Sequence, residues 1–202
     1  IKELYLASSS EVYQTPNKIP TNEFEPLKVP DIFNPRYSYG GGKILTELMG
    51  IHYGKKYFKK LVIFRPHNVY GPNMGYEHVI PEFINRFRKM KKKSKKFIIK
   101  GNGNETRSFI FIDDFISSFD LILKKGKHLN IYNIGTTERI KIRNLAIKIS
   151  KFFKKKIILH RAKIARGSTR HRCPNISKIT KLGFKKKYNL NAGLSKTINW
   201  YN

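Results

Sequence analysis

Residues 61–73 read LVIFRPHNVYGPN. The run opens with four apolar residues in a row, the pattern of a parallel strand covered on both faces. Proline and glycine at Pro66, Gly71 and Pro72 then stop it. A strand of this kind needs helices on both sides, and the flanking sequence supplies candidates. Upstream, a helix is expected from about Ser38, with Ile44, Leu45, Leu48, Met49, His52 and Tyr53 forming one buried stripe. Before it lies a loop over 14–36, with Pro16, Pro20, Pro26, Pro30 and Pro35, and before that a strand, Leu4–Ala7. Downstream the pattern predicts helix 79–92, strand 97–100, a glycine-asparagine turn at 101–105 and a short extended arm at 108–113. Asp113 is a candidate cap for helix 114–125. Strand 129–135, helix 141–154, strand 156–160, a basic loop at 161–174 and short helices near 175–182 and 190–201 complete the chain. Strands alternating with helices predict an α/β fold with parallel strands.

The chain has 202 residues and a formal charge of +29, from 42 basic and 13 acidic side chains. Such a charge suggests nucleic acid. The details favour compositional drift toward Lys, Ile, Asn, Phe and Tyr. Lysine outnumbers arginine, the densest run (KMKKKSKK, 89–96) is a connector after a helix, and no nucleic-acid-binding signature is present. No specific nucleic-acid partner is therefore expected. No stretch approaches the roughly 20 apolar residues of a membrane span. The lone Cys173 excludes a disulfide framework, no zinc spacing occurs, and a reducing cytoplasm fits. The chain opens on Ile1 inside a core strand, so a preceding segment is expected.

Two short motifs carry chemistry. In RYSYGGGK (36–43), Tyr39 and Lys43 stand one helical turn apart on one face. That spacing serves packing, or it serves an acid–base pair in which an ammonium stabilises a phenolate. Three glycines in a first helical turn cost roughly 1 kcal/mol each against alanine, which suggests that something approaches bare backbone there, such as a ligand. In SSSEVY (8–13), a serine cluster ends in Glu11. It is a strand-to-loop turn, or a hydroxyl for a substrate oxygen beside an acid or base.

With RPHNVYGPN (65–73) and GNGNETRSFIFIDD (101–114), these motifs in this order resemble the extended short-chain dehydrogenase/reductase family of nucleotide-sugar epimerases, dehydratases and decarboxylases. The resemblance covers essentially the whole chain. It implies the C-terminal part of a Rossmann-like parallel sheet that binds NAD, plus a smaller α/β substrate-binding lobe. On that scheme residues 1–70 belong to the Rossmann domain and 71–202 mainly to the lobe, with about 108–135 returning to the sheet. The resemblance makes Tyr39 the base and Lys43 its partner on the nicotinamide ribose, with Ser9 bridging sugar and tyrosine. Ser10 and Glu11 become the variable pair that tunes the reaction. Pro66 and His67 fall where the loop passes the nicotinamide, and Asn68 falls near the substrate diphosphate. Arg107 and Arg172 match the arginines that grip that diphosphate, a task suited to a guanidinium fork.

Departures from the family pattern are also present. The glycine-rich fingerprint and the acidic residue for the adenosine ribose are absent, which implies roughly a hundred further residues upstream. Gln14 stands where glycine is common, and Asn175 where aspartate often follows proline. The resemblance implies a homodimer at full length and a 4-keto sugar that is epimerised, dehydrated or decarboxylated. Glu11 tilts toward chemistry beyond C4, while Ser10 and the loop RPHNVYGPN followed by HVIPEF (78–83) favour an epimerase resembling UDP-glucose 4-epimerase. A non-catalytic module is the competing expectation.

Overall fold

The computed structural model describes residues 1–91 and 93–202. In chain order its elements begin with β1 (Glu3–Ala7), α1 (Ser38–Tyr57), β2 (Lys60–Pro66), β3 (Val69–Tyr70) and α2 (Val79–Lys89). The middle of the chain forms β4 (Lys96–Lys100), β5 (Thr106–Ser108), β6 (Ile110–Phe111), α3 (Ile112–Lys125) and β7 (Asn130–Ile134). The last part forms β8 (Arg139–Lys141), α4 (Ile142–Phe152), β9 (Ile158–Ala162), α5 (Ser177–Lys181) and α6 (Leu190–Tyr201). The expected end of the second helix at residue 92 lies outside the described residues.

The apolar run 61–64 is the centre of a parallel sheet ordered β1-β2-β7. One face of β2 presents Val62 and Phe64 to a core shared with Ile110, Ile122, Tyr132, Ile134, Ile179 and Phe184. Each such side chain contributes about 1.5–3 kcal/mol by leaving water. The other face carries α1. There the expectation of one buried apolar stripe is corrected. Leu45, Leu48, Met49 and Tyr53 are each half exposed or more, and His52 is exposed as well. The buried positions of α1 are Gly40, Glu47, Gly50 and Gly54. A Cβ on Gly54 would lie 2.6 Å from Leu61 Cδ2, so the helix sits on the sheet through bare backbone. Glu47 faces Arg65 of β2 in an ion pair of 2.6 Å, with 2% of either side chain exposed.

A second core joins α2, α4, α6, β4 and β6 through Phe83, Phe87, Phe97, Phe111, Leu145, Ile149 and Leu194. Phe87 stacks on Phe97 at 4.2 Å between centroids. β4 pairs parallel with β9, and β5 pairs antiparallel with β8. The strands β3 and β8 have too few apolar residues to register in the sequence. Asp113 is not a cap: α3 begins one residue before it, with no side-chain cap on its first turn. Its neighbour Asp114 is buried and accepts from the backbone N–H groups of Lys187 (2.9 Å) and Tyr188 (3.0 Å). Among the described residues no helix is long and apolar enough to cross a membrane.

Candidate active site

Parallel strands release their chains on one edge of a sheet, and loops there converge. Ser8 to Glu11 follow β1, and His67 and Asn68 follow β2. Ser9, Ser10, Glu11 and Asn68, with Tyr39 of the first turn of α1, wall a cavity of about 680 Å³. Of the residues singled out from sequence, Ser9, Ser10, Glu11, Tyr39, Pro66, Asn68 and Arg172 line this cavity. Arg107 lines an adjoining recess of about 280 Å³ with Glu11, Asn68 and Arg172. Lys43 and His67 do not line either.

Tyr39 is 56% exposed. The Lys43 ammonium lies 5.9 Å from the centroid of its ring and donates to the Ala7 carbonyl at 2.8 Å. That bond anchors the lysine to the end of β1, beside the tyrosine. Ser9 caps a short 3-10 helix (Ser10–Tyr13), its Oγ accepting from Glu11 N at 3.1 Å. A close ligand is not what Gly40 accommodates. A Cβ there would lie 2.5 Å from Gln14 Nε2 and 2.9 Å from the Glu11 carbonyl, so the protein's own serine loop takes that space. Nothing lies within 4 Å of the corresponding position at Gly42.

The opposite wall is cationic. Arg172 forks onto Glu11, its Nη2 donating to Oε2 at 2.7 Å and its Nη1 to Oε1, and Nη2 also donates to Thr169 Oγ1 at 3.0 Å. Burial alone would raise the Glu11 pKa. The bond to Arg172, with the charges of Arg172, Arg36 and Arg107, outweighs burial and holds the carboxyl below its ordinary range. Arg107 turns its guanidinium onto backbone carbonyls. Nη1 donates to Thr106 (2.8 Å) and Arg170 (3.1 Å), and Nη2 to Thr169 (2.8 Å). Burial and the neighbouring Arg172 lower its pKa to about 10. Arg107 thus pins the basic loop that carries Arg172.

Behind the cavity lies a buried polar network that the sequence reading missed. Arg65 Nε and Nη2 donate to Glu47 at 2.8 and 2.6 Å, and Ser8 Oγ donates to the same carboxylate. Arg65 Nη1 donates to Tyr13 Oη at 2.7 Å, and Tyr13 donates to Asn133 Oδ1 at 2.8 Å. Asn133 N donates to Glu23 at 2.9 Å. This chain of bonds ties α1 to the ends of β1, β2 and β7, and so fixes the parts that bear Ser9 and Tyr39. Burial pushes the Tyr13 hydroxyl up to about 12, so Tyr13 stays protonated. His67 is buried in the same place, its Nε2 3.2 Å from Asn133 Oδ1, and burial lowers its pKa to about 3. One signal for this network was legible: Glu47 follows Gly40 by two helical turns, on the side of α1 where a bare backbone marks a close approach.

The sequence family described as the NAD dependent epimerase/dehydratase family matches residues 1–135. The chain belongs to this family. Among curated relatives within reach of it, dTDP-D-glucose 4,6-dehydratase of Dictyostelium discoideum is 40% identical over 118 residues, 58% of this chain and 26% of that protein. The dTDP-D-glucose 4,6-dehydratase of Homo sapiens is 33% identical over 174 residues, 83% of this chain and 49% of that protein. Among solved structures, UDP-N-acetylglucosamine 4-epimerase from Methanobrevibacter ruminantium M1, in complex with UDP-N-acetylmuramic acid, superposes on the whole chain. The TM-score is 0.86 at 25% identity, and the chain covers 63% of that structure. The chain therefore spans 26% to 49% of the length of these curated relatives. Arg172 lies beyond the stretch that the epimerase/dehydratase family matches, but within the stretch shared with the epimerase structure.

Proposed function

We propose that the chain carries the acid–base residues of an NAD-dependent enzyme that modifies a nucleotide sugar through a 4-keto intermediate, and that the reaction is a 4-epimerisation of the UDP-glucose 4-epimerase kind. One observation carries the reading: Ser9 and the exposed Tyr39 line one cavity, with Lys43 anchored beside the tyrosine. The residues fit the nicotinamide end of NAD, since Tyr39 and Pro66 lie open on the same wall. The glycine-rich turn for the pyrophosphate is not among these 202 residues. NAD, when bound, supplies the acceptor for the C4 hydride and later its donor. On the chain's side, Ser9 holds the 4-hydroxyl, Tyr39 takes its proton and Lys43 stabilises the phenolate. Asn68 and Arg172 hold the diphosphate end, and Arg107 keeps the Arg172 loop in place. Ser10, buried beside Ser9, offers no carboxylic acid to a leaving hydroxyl.

Dehydration or decarboxylation is the second reading. It is favoured by Glu11, a carboxylate on the cavity wall, and by the likeness to the two dehydratases. Mass spectrometry of products separates them, using an enzyme that joins this chain to a glycine-rich nucleotide-binding segment. Given UDP-glucose, UDP-glucuronate and dTDP- or GDP-hexoses, an epimerase returns a product of unchanged mass. A loss of about 18 or about 44 mass units, from water or carbon dioxide, overturns the epimerase reading. We further place the enzyme in the cytoplasm, as the lone buried Cys173 suits a reducing compartment. A homodimer through the outer face of α1 is also proposed, since Leu45, Leu48, Met49 and Tyr53 form an exposed apolar stripe. Leu48→Lys with Tyr53→Lys is expected to give monomers in sedimentation, and a species of unchanged mass rejects this face.

A further inference from the structure

The cavity wall holds an ion pair between two of its own side chains, Glu11 and Arg172. Arg172 is nearly buried, with 8% of its side chain exposed, and its fork is spent on Glu11, of which 31% is exposed. A buried guanidinium must be paired at all times, because an uncompensated buried charge is costly. Among the described residues, Glu11 is the sole carboxylate paired with it. Arg172 Nε has no hydrogen-bond partner among the described residues, so the guanidinium is incompletely satisfied by Glu11. Arg36 lines the same cavity, is exposed, and forms no ion pair among the described residues. One carboxylate thus stands amid Arg36, Arg107 and Arg172.

We propose that Glu11 is the resident anion of this site, and that the diphosphate of the substrate replaces it on Arg172. The proposal rests on the nucleotide-sugar reading above and adds its control. The exchange is cheap on both sides. A diphosphate offers the fork more charge than a carboxylate does. The released Glu11 is already partly exposed and turns to solvent, or to Arg36. No bond is made or broken and no proton need move. In the empty site Glu11 is neutralised by Arg172. With substrate seated it is released from that fork, so the ligand itself changes the pairing of a carboxylate on the cavity wall, one that the dehydration reading employs and the epimerase reading leaves idle.

Inorganic pyrophosphate is the probe, titrated calorimetrically into the 202-residue chain at about 0.15 M salt to suppress loose binding by its basic surface. Glu11→Gln keeps the shape and removes the competing charge. It is expected to tighten pyrophosphate about tenfold, the scale of one charge-assisted hydrogen bond. Asp120→Asn makes the same change in net charge at an exposed site away from the cavity, and is expected to change nothing. The gain should vanish when Glu11→Gln is combined with Arg172→Gln. Melting curves check that each variant is folded. If Glu11→Gln binds no tighter while Arg172→Gln weakens binding, the exchange is wrong and the anion site stands. If Arg172→Gln leaves pyrophosphate binding unchanged in the wild-type background, the anion site itself is wrong, and the exchange falls with it.

Discussion

Tyr13 and Tyr39 both lie near the cavity, and their surroundings give them different work. Tyr13 is enclosed by Arg65, Asn133 and His67 and stays a phenol, whereas Tyr39 is open beside Lys43. In an active enzyme carrying this chain, Tyr39→Phe should lower turnover by at least about a hundredfold with substrate affinity little changed, since it removes a general base. Tyr13→Phe should keep turnover and cost about 1–3 kcal/mol of stability, because it strands partners that are buried. Near-normal turnover in Tyr39→Phe assigns the base elsewhere. His67 adds a pH dependence. The unfolded chain binds a proton there near the ordinary histidine value of about 6.5, and the folded chain does so only at about 3. Between those values the unfolded state holds more protons. The stability contributed by neutral His67 is therefore complete above the higher value and declines as the pH falls toward the lower one. Urea unfolding at pH 7 and at pH 4 should show that decline, and His67→Gln should flatten it. Gln14 was noticed in the sequence only as an odd residue in a glycine's place. Its φ of +49° is the reason a glycine suits that place, and both ends of its buried amide lack partners among the described residues. Gln14→Gly should raise stability by about 1 kcal/mol.

The helix α1 is where sequence and structure part most clearly. Its existence, its start at Ser38 and the shared face of Tyr39 and Lys43 were legible from spacing alone. Its orientation was not, because its buried side is built from glycines and one paired glutamate, residues that hydrophobic periodicity counts as outward. Its apolar residues lie on the far side, where no described element covers them. The pairing of substitutions along this helix tests that geometry. Gly42→Ala meets nothing within 4 Å and should gain about 1 kcal/mol from helix propensity. Gly54→Ala drives a methyl into Leu61 and should lose about 1–3 kcal/mol net of that gain. Equal effects at both positions in denaturant unfolding would place the sheet on the wrong face of α1. Strands told a similar story. The run at 61–64 announced itself, whereas Arg139–Lys141 pairs with Thr106–Ser108 only because the turn at 101–105 brings them together, a long-range fact that short polar strands do not encode.

For the molecule as a whole, the α/β class and the parallel direction of its strands were readable, since strands alternating with helices follow from local pattern. Which residue joins which of the two cores was not, because membership changes from one residue to the next: Ile110 packs with the sheet and Phe111 with the second core. At this scale the chain should bind NAD weakly, as the pyrophosphate turn is not encoded here. Calorimetric titration giving micromolar affinity for the 202-residue chain contradicts this. The interleaving of the cores has a further reach. Val69 packs toward one and Tyr70 enters the other, and farther along the chain whole elements take turns: most of α3 and all of β7 pack with the sheet, α4 with the second core, α5 with the sheet again and α6 with the second core. No single pair of cuts releases either core intact. Exchange of the stretch after β3 between relatives as a cassette is expected to fail, because Ile110, Ile122, Tyr132, Ile134 and Ile179 would arrive without the Val62 and Phe64 they pack with. Under the proposed function, a change of substrate on this scaffold is expected to come from point substitution along the cavity wall, with the polar network beneath it left in place.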